Sequence, residues 1–127
     1  MDILISYLFL SGANIHPATG NFDLKSDIDG LPGYERAELR TERADNEFLN
    51  RVDLYCESGK KLLVSEWKGE KIERFVVGDA DGDGFRDILY LNKNMDRGML
   101  LSYDPRSGQF ILRPAEVEQF WNERREK

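Results

Sequence analysis

Apolar residues in this chain fall in short runs separated by polar breaks that contain glycine. Val52-Asp-Leu-Tyr55 and the run ending at Val64 flank Ser58-Gly59, and Leu100-Leu-Ser-Tyr103 and Phe110-Ile-Leu112 flank Ser107-Gly108. Each set reads as strand, tight turn, strand, the pattern of a β-hairpin. Val76-Val77 and Ile88-Leu-Tyr-Leu91 prefer strands, the second bulky enough to be buried. Ser65 to Ile72 continues as a strand, a turn at Lys68-Gly69 and a further strand. Trp67 is a core or edge-packing residue there, and its charged neighbours Glu66, Lys68, Glu70 and Lys71 mark a solvated edge. The polar segments Glu42–Glu47 and Asn92–Gly98 read as connecting loops at one end of a sheet.

The two ends differ from this pattern. Ile3 to Leu10 is apolar, β-branched and aromatic, and predicts a buried strand. Asp2 stands where a signal peptide would carry basic residues, and the run is far below the ~20 residues that span a bilayer. From Pro114 onward an amphipathic helix is expected over about 114–126. Proline suits the first helical position, acids come first and bases last, and Val117, Phe120 and Trp121 form one stripe, docked on the sheet or free to bind a partner.

Between Val77 and Ile88 lies Asp79-Ala-Asp81-Gly-Asp83-Gly84-Phe85-Arg-Asp87, with carboxylates at positions 1, 3, 5 and 9 and glycine at position 6. Alternate residues can turn their side chains towards one point, so this spacing gathers oxygens around a hard cation. Calcium accepts six to eight such ligands at flexible geometry, backbone carbonyls included. The expected ligands are the side chains of Asp79, Asp81, Asp83 and Asp87 with the main-chain oxygen of Phe85, and the expected cofactor is Ca2+. An EF-hand would need glutamate at position 12 and an exiting helix, whereas position 12 is Tyr90 inside a strand pattern.

The stretch from Phe75 to Leu91 resembles the calcium loop of FG-GAP/VCBS repeats, the family that includes the blades of integrin α-subunit propellers. The resemblance implies a second repeat. Asp27-Ile-Asp29-Gly30-Leu31, followed by Glu35, echoes the loop in either of two registers. Gly30 on Gly84 places Asp27 on Asp81 and, after two extra residues, Glu35 on Asp87; the alternative places Asp27 on Asp79 and loses position 5 to Leu31. Asp27, Asp29 and Glu35 therefore form a possible degenerate second metal site. The hairpins at Tyr55 and Tyr103 extend the echo, about fifty residues apart.

The expected architecture is mainly β: two propeller-blade-like antiparallel repeats, about 21–64 and about 73–112, packed as one compact domain over 1–127 with a C-terminal α-helix. Two such units are too few to close a propeller, which needs at least four blades; the chain either forms a compact domain or assembles with copies of itself, and the compact monomer is expected because the helix and the N-terminal strand can cover the exposed sheet faces.

Composition limits the function. A net charge of −6 argues against nucleic acid, which needs a clustered basic surface. A single cysteine, Cys56, excludes an internal disulfide and a thiolate metal cage, and reads as a small buried hydrophobe in a strand. His16 is the only histidine and has no partner at an interpretable spacing; no nucleophile elbow or phosphate-cradling loop is present, so no catalytic residue is assigned. The acidic loop points to calcium binding without catalysis, and the resemblance to FG-GAP/VCBS repeats implies a recognition module that takes a protein or glycan partner. Resemblance to FG-GAP/VCBS repeats implies an extracellular or periplasmic setting. Size and acidity also suit a small inhibitor or immunity-type protein blocking one partner, and abundant carboxylate pairs leave a carboxylate-dependent hydrolase as a further alternative.

Overall fold

The computed structural model describes residues 3–18, 21–31 and 33–118. It is mainly β, with ten strands and one short helix among the described residues, in two antiparallel-dominated sheets packed as one domain. The first sheet is a four-stranded meander of β3 (Phe22–Ser26), β4 (Glu35–Ala44), β5 (Glu47–Tyr55) and β6 (Lys61–Gly69). The second repeats the meander with β7 (Arg74–Gly78), β8 (Asp87–Leu91), β9 (Arg97–Asp104) and β10 (Gln109–Val117). Two early strands extend the second sheet: β1 (Ile3–Ile5) pairs parallel with β10, and β2 (His16–Pro17) pairs antiparallel with β7.

Side-chain alternation decides how the layers stack. On β4 and β5, Ala37, Leu39, Val52 and Leu54 point to one face and are buried, while Arg36, Glu38, Arg40 and Arg51 point to the other. The buried face meets Ile88, Tyr90 and Leu101 of the second sheet, with Ile28 and Ile72 closing the ends of this core. The outer face carries a charge lattice. Arg40 pairs with Asp23 at 3.0 Å, Arg51 with Asp53 at 3.0 Å and Glu66 at 3.2 Å, and Arg36 with Glu38.

The second sheet is covered on both faces, which explains the unbroken apolar run of β8. Ile88 and Tyr90 face the first sheet; Leu89 and Leu91 face a second core with Val76, Leu100, Ala115 and Val117. The N-terminal segment roofs that second core, but not as one strand. Only Ile3–Ile5 is extended, and α1 (Tyr7–Ser11) follows. Ser6 causes the change, because its hydroxyl accepts the Leu8 N–H at 3.2 Å and caps the first turn. The helix then places Phe9 and Leu10 on the sheet, the Phe9 ring resting over the bare Cα of Gly78, while Leu8 is 80% exposed.

Other expectations need correction. Pro114, Ala115, Glu116 and Val117 belong to β10, so they do not start a helix; pairing with Gly98 and Arg97 on one side and with β1 on the other holds them extended. The remaining expected helix, including Phe120 and Trp121, lies outside the described residues. Glu42–Glu47 is not a loop: β4 and β5 run on to a two-residue turn at Asp45-Asn46, with Asp45 at φ 58°. β6 continues unbroken to Gly69, and the following residues 71–73 are not strand. Cys56 sits just past β5 in a turn, half-buried, with Sγ 3.0 Å from Ser58 Oγ. His16 is exposed on β2 and stacks on Phe75 at 5.0 Å.

Candidate metal centre

The β7–β8 connection turns back on itself through Gly82 and Gly84, both at positive φ (79° and 88°), a region that glycine enters without a Cβ clash. Backbone N–H groups hold the carboxylates in place. Asp79 Oδ1 accepts from Gly82 and Asp83 at 2.9 and 3.0 Å, and its Oδ2 accepts from Gly84 at 2.9 Å. Asp81 Oδ1 accepts from Asp83 at 3.2 Å, and Asp83 Oδ1 from Phe85 at 2.8 Å. Asp87, the first residue of β8, accepts from Ala80 at 3.0 Å through Oδ2. One carboxylate oxygen from each of Asp79, Asp81, Asp83 and Asp87 lies within 4.8 Å of the others. The loop brings together all four side chains expected from the sequence, and the group could hold a metal ion.

The electrostatics of this group are unbalanced. Asp87 is fully buried, and its Oδ1 has no hydrogen-bond partner among the described residues. Burial pushes its carboxyl up to about 8, the neighbouring charge of Asp81 adds to the rise, and the Ala80 N–H partly offsets it. Asp81 is also raised, by burial first and then by sharing a hydrogen with Asp83. Burial acts upward on Asp79 as well, but the donors from Gly84, Gly82 and Asp83 outweigh it and leave that carboxyl below its ordinary value. A buried carboxylate oxygen normally has a donor or a cation against it. Asp87 Oδ1 has no hydrogen-bond partner among the described residues, and the charges that act on it from Asp81 and Asp83 are of its own sign.

The connection between β3 and β4 contains the same loop in reduced form. Glu35 opens β4 as Asp87 opens β8, and it accepts from Ile28 at 2.7 Å and from Asp29 at 3.1 Å. The Ile28–Glu35 and Ala80–Asp87 bonds both span seven residues, and Gly30 donates to Asp27 as Gly82 does to Asp79. Leu31 donates to Asp29 as Asp83 does to Asp81. The equivalence is therefore Asp27 with Asp79, Asp29 with Asp81 and Glu35 with Asp87, without the two-residue insertion that the Gly30–Gly84 register needs. Leu31 takes the place of Asp83 and is exposed. Asp27, Asp29 and Glu35 still place one oxygen each within 4.8 Å of the others, a second group that could hold a metal ion. Burial raises Glu35, the Ile28 and Asp29 N–H groups lower it, and the Asp29 and Asp27 charges add to the rise.

The two loops lie side by side at one end of the stacked sheets. Phe85 covers Gly30, where an added Cβ would come within 3.3 Å of its ring, and meets Tyr103 edge-on at 5.7 Å. A groove of about 740 Å³ between the loops is lined by Asp27, Gly30, Asp79, Gly84, Phe85 and Arg86. One residue of the centre has no signal in the local motif. Arg113, on β10, brings Nη2 within 3.6 Å of Asp81 Oδ2. Only the pairing of β10 with β9 brings it there.

Comparison with protein-family models, with curated proteins and with solved structures finds no match for this chain. Among the described residues no helix is long and apolar enough to cross a membrane.

Proposed function

We propose that this chain is a calcium-binding, non-catalytic recognition module of FG-GAP/VCBS-like type, in which the cation ties the β7–β8 connection together. The reading is carried by Asp87 Oδ1, a buried, unpartnered carboxylate oxygen within a group of four aspartates. Calcium binds oxygens at 2.3–2.6 Å, so ligands on opposite sides of one ion sit roughly 5 Å apart. The 4.8 Å limit on the oxygens of the group is compatible with that sphere. Carboxylates, a glycine-rich turn and the absence of His or Cys from the group favour a hard cation over zinc or copper. The four aspartates carry more negative charge than one dication neutralises, and they accept N–H donors without catalytic geometry. A filled site of this kind stabilises the fold and leaves no carboxyl poised for proton transfer.

Recognition of a protein or glycan then falls to the surfaces that the sheets present. An open groove of about 330 Å³ between β6 and β10 is lined by Trp67, Glu70, Asn92, Arg97, Met99 and Glu116. Asn92 is buried there and donates to Glu70 Oε2 at 2.9 Å, so the groove wall is ordered. An aromatic face beside fixed carboxylates suits a sugar or an extended peptide.

Thermal unfolding with calcium and with EDTA tests the metal reading. A cation at ~100-fold excess over Kd stabilises by roughly 2.7 kcal/mol. Calcium should raise the melting temperature of the parent and leave the Asp81→Ala, Asp83→Ala double variant unmoved. Identical responses of the two proteins would reduce the loop to an acidic turn.

A further inference from the structure

The cation reading leaves Arg113 unexplained. A guanidinium is permanently charged and cannot be titrated away in a protein. This one reaches into the edge of the acidic group from a different strand. Its Nη2 stands 3.6 Å from Asp81 Oδ2, and its Nε is buried with no hydrogen-bond partner among the described residues. Asp81 is only 11% exposed and divides its oxygens, Oδ1 accepting from the Asp83 N–H and Oδ2 facing Arg113. Asp83, Asp104 and Arg106 line the same groove, of about 460 Å³, so Arg113 is set among both signs of charge. A lone arginine near a carboxylate is ordinary on a surface. Placed against one of four candidate ligands of a dication, it must act on the affinity of that site.

Resting on the calcium reading, we infer that Arg113 is a built-in competitor for the cation. Without metal it supplies part of the positive charge that the aspartates lack, and it holds Asp81 through the ion pair. With metal bound, a dication and a guanidinium share Asp81, and their repulsion opposes binding. Two effects of opposite sign follow from one side chain: the metal-free loop is stabilised, and the affinity for calcium is lowered. The closest approach of the two charges is roughly 6 Å, set by a metal–oxygen bond on one side of the carboxylate and the ion pair on the other. Even at the dielectric of water this repulsion is on the order of tenfold in affinity. Arg113 thereby sets the site to fill at high calcium and empty at low calcium.

Arg113→Met keeps the aliphatic stem and removes the charge, and Arg113→Lys keeps the charge on a different head. Calorimetric titration with calcium at low ionic strength should show Arg113→Met binding about tenfold tighter than the parent, and Arg113→Lys within about threefold of it. In EDTA, Arg113→Met should melt below the parent. Added salt at ~0.5 M should shrink the affinity difference, because screening acts on the exposed part of the groove. If Arg113→Met folds poorly, Arg113→Gln serves the same comparison. A parent that binds calcium while both neutral variants bind it equally or more weakly would overturn the role of Arg113 and leave the metal site standing. A parent that binds no calcium would overturn both.

Discussion

Replacing Asp87 by asparagine separates the two states of the loop, because it should stabilise one and weaken the other. The side chain is fully buried, with Oδ2 accepting from Ala80 and Oδ1 unpartnered. In the unfolded chain an aspartate titrates near 3.9, whereas burial lifts it to about 8 in the metal-free fold. The folded state therefore holds a proton that the unfolded state has lost between about pH 4 and pH 8, and stability falls as pH rises through that window. At pH 7 the upper limit of this loss is about 4 kcal/mol, from roughly 3 pH units at 1.36 kcal/mol each. Asparagine removes the charge but introduces an amide donor whose desolvation costs about 1–3 kcal/mol if it finds no acceptor. The variant in EDTA should thus be more stable than the parent by about 1–3 kcal/mol at pH 7, and less stable by about 1–3 kcal/mol near pH 4, where the parent carries no charge penalty. With calcium the advantage narrows or reverses. The parent gains roughly 2.7 kcal/mol at 100-fold excess over Kd, and a variant whose Kd rises 100-fold gains only about 0.4 kcal/mol. At roughly 3–5 °C per kcal/mol for a domain of this size, the parent should move by about 10 °C and the variant by 1–2 °C. Differential scanning calorimetry with calcium and with EDTA, at pH 4 and pH 7, measures all four quantities. A variant that gains as much from calcium as the parent would refute the placement of Asp87 in the metal sphere.

Two further substitutions test the fold around the loop. Tyr90 is buried between the sheets and its hydroxyl has no partner among the described residues, so Tyr90→Phe should stabilise the protein by about 1 kcal/mol in urea unfolding; a loss of that size would mean the hydroxyl is satisfied. Gly98 lies where an added Cβ would collide with the Tyr90 and Leu91 backbone, so Gly98→Ala should destabilise by about 3 kcal/mol; a near-neutral result would show that β8 and β9 can separate to admit it.

Much of this arrangement is visible in the residue pattern. Alternation at Arg36-Ala-Glu-Leu39 marks a sheet with one wet face, and the unbroken Ile88-Leu-Tyr-Leu91 marks a strand covered on both sides. The acidic loop is legible because its carboxylates, glycines and flanking strands are contiguous. The failures have identifiable causes. A serine cap overrode the β preference of Tyr7 to Leu10. Pro114 fits the start of a helix, but it also fits a strand at a position where its missing N–H costs little, and pairing with β1 and β9 decided in favour of the strand. Periodicity in one segment carries no information about partners recruited from the other end of the chain. The same holds for Arg113, whose relation to Asp81 exists only once β9 and β10 have paired. The register of the weaker loop was obscured by matching glycines, whereas the carboxylate-to-amide bonds of Glu35 and Asp87 identify the equivalent residues.

The parallel pairing of β1 with β10 also governs how the chain can reach this state. The first sheet is a meander whose hairpins close locally, so its strands can pair as soon as they meet their neighbours in sequence. The second sheet is complete only when Ile3–Ile5 joins Ala115–Val117, which brings the two ends of the described chain together. Loop closure of that length carries an entropic cost that no local turn offsets, and such pairings slow folding. Until it happens, the roof over Leu89, Leu91 and Leu100 is missing and an apolar sheet face is open to other chains. The segment that looks most dispensable, three residues of strand and a single helical turn, is therefore a long-range latch whose closing covers an apolar sheet face.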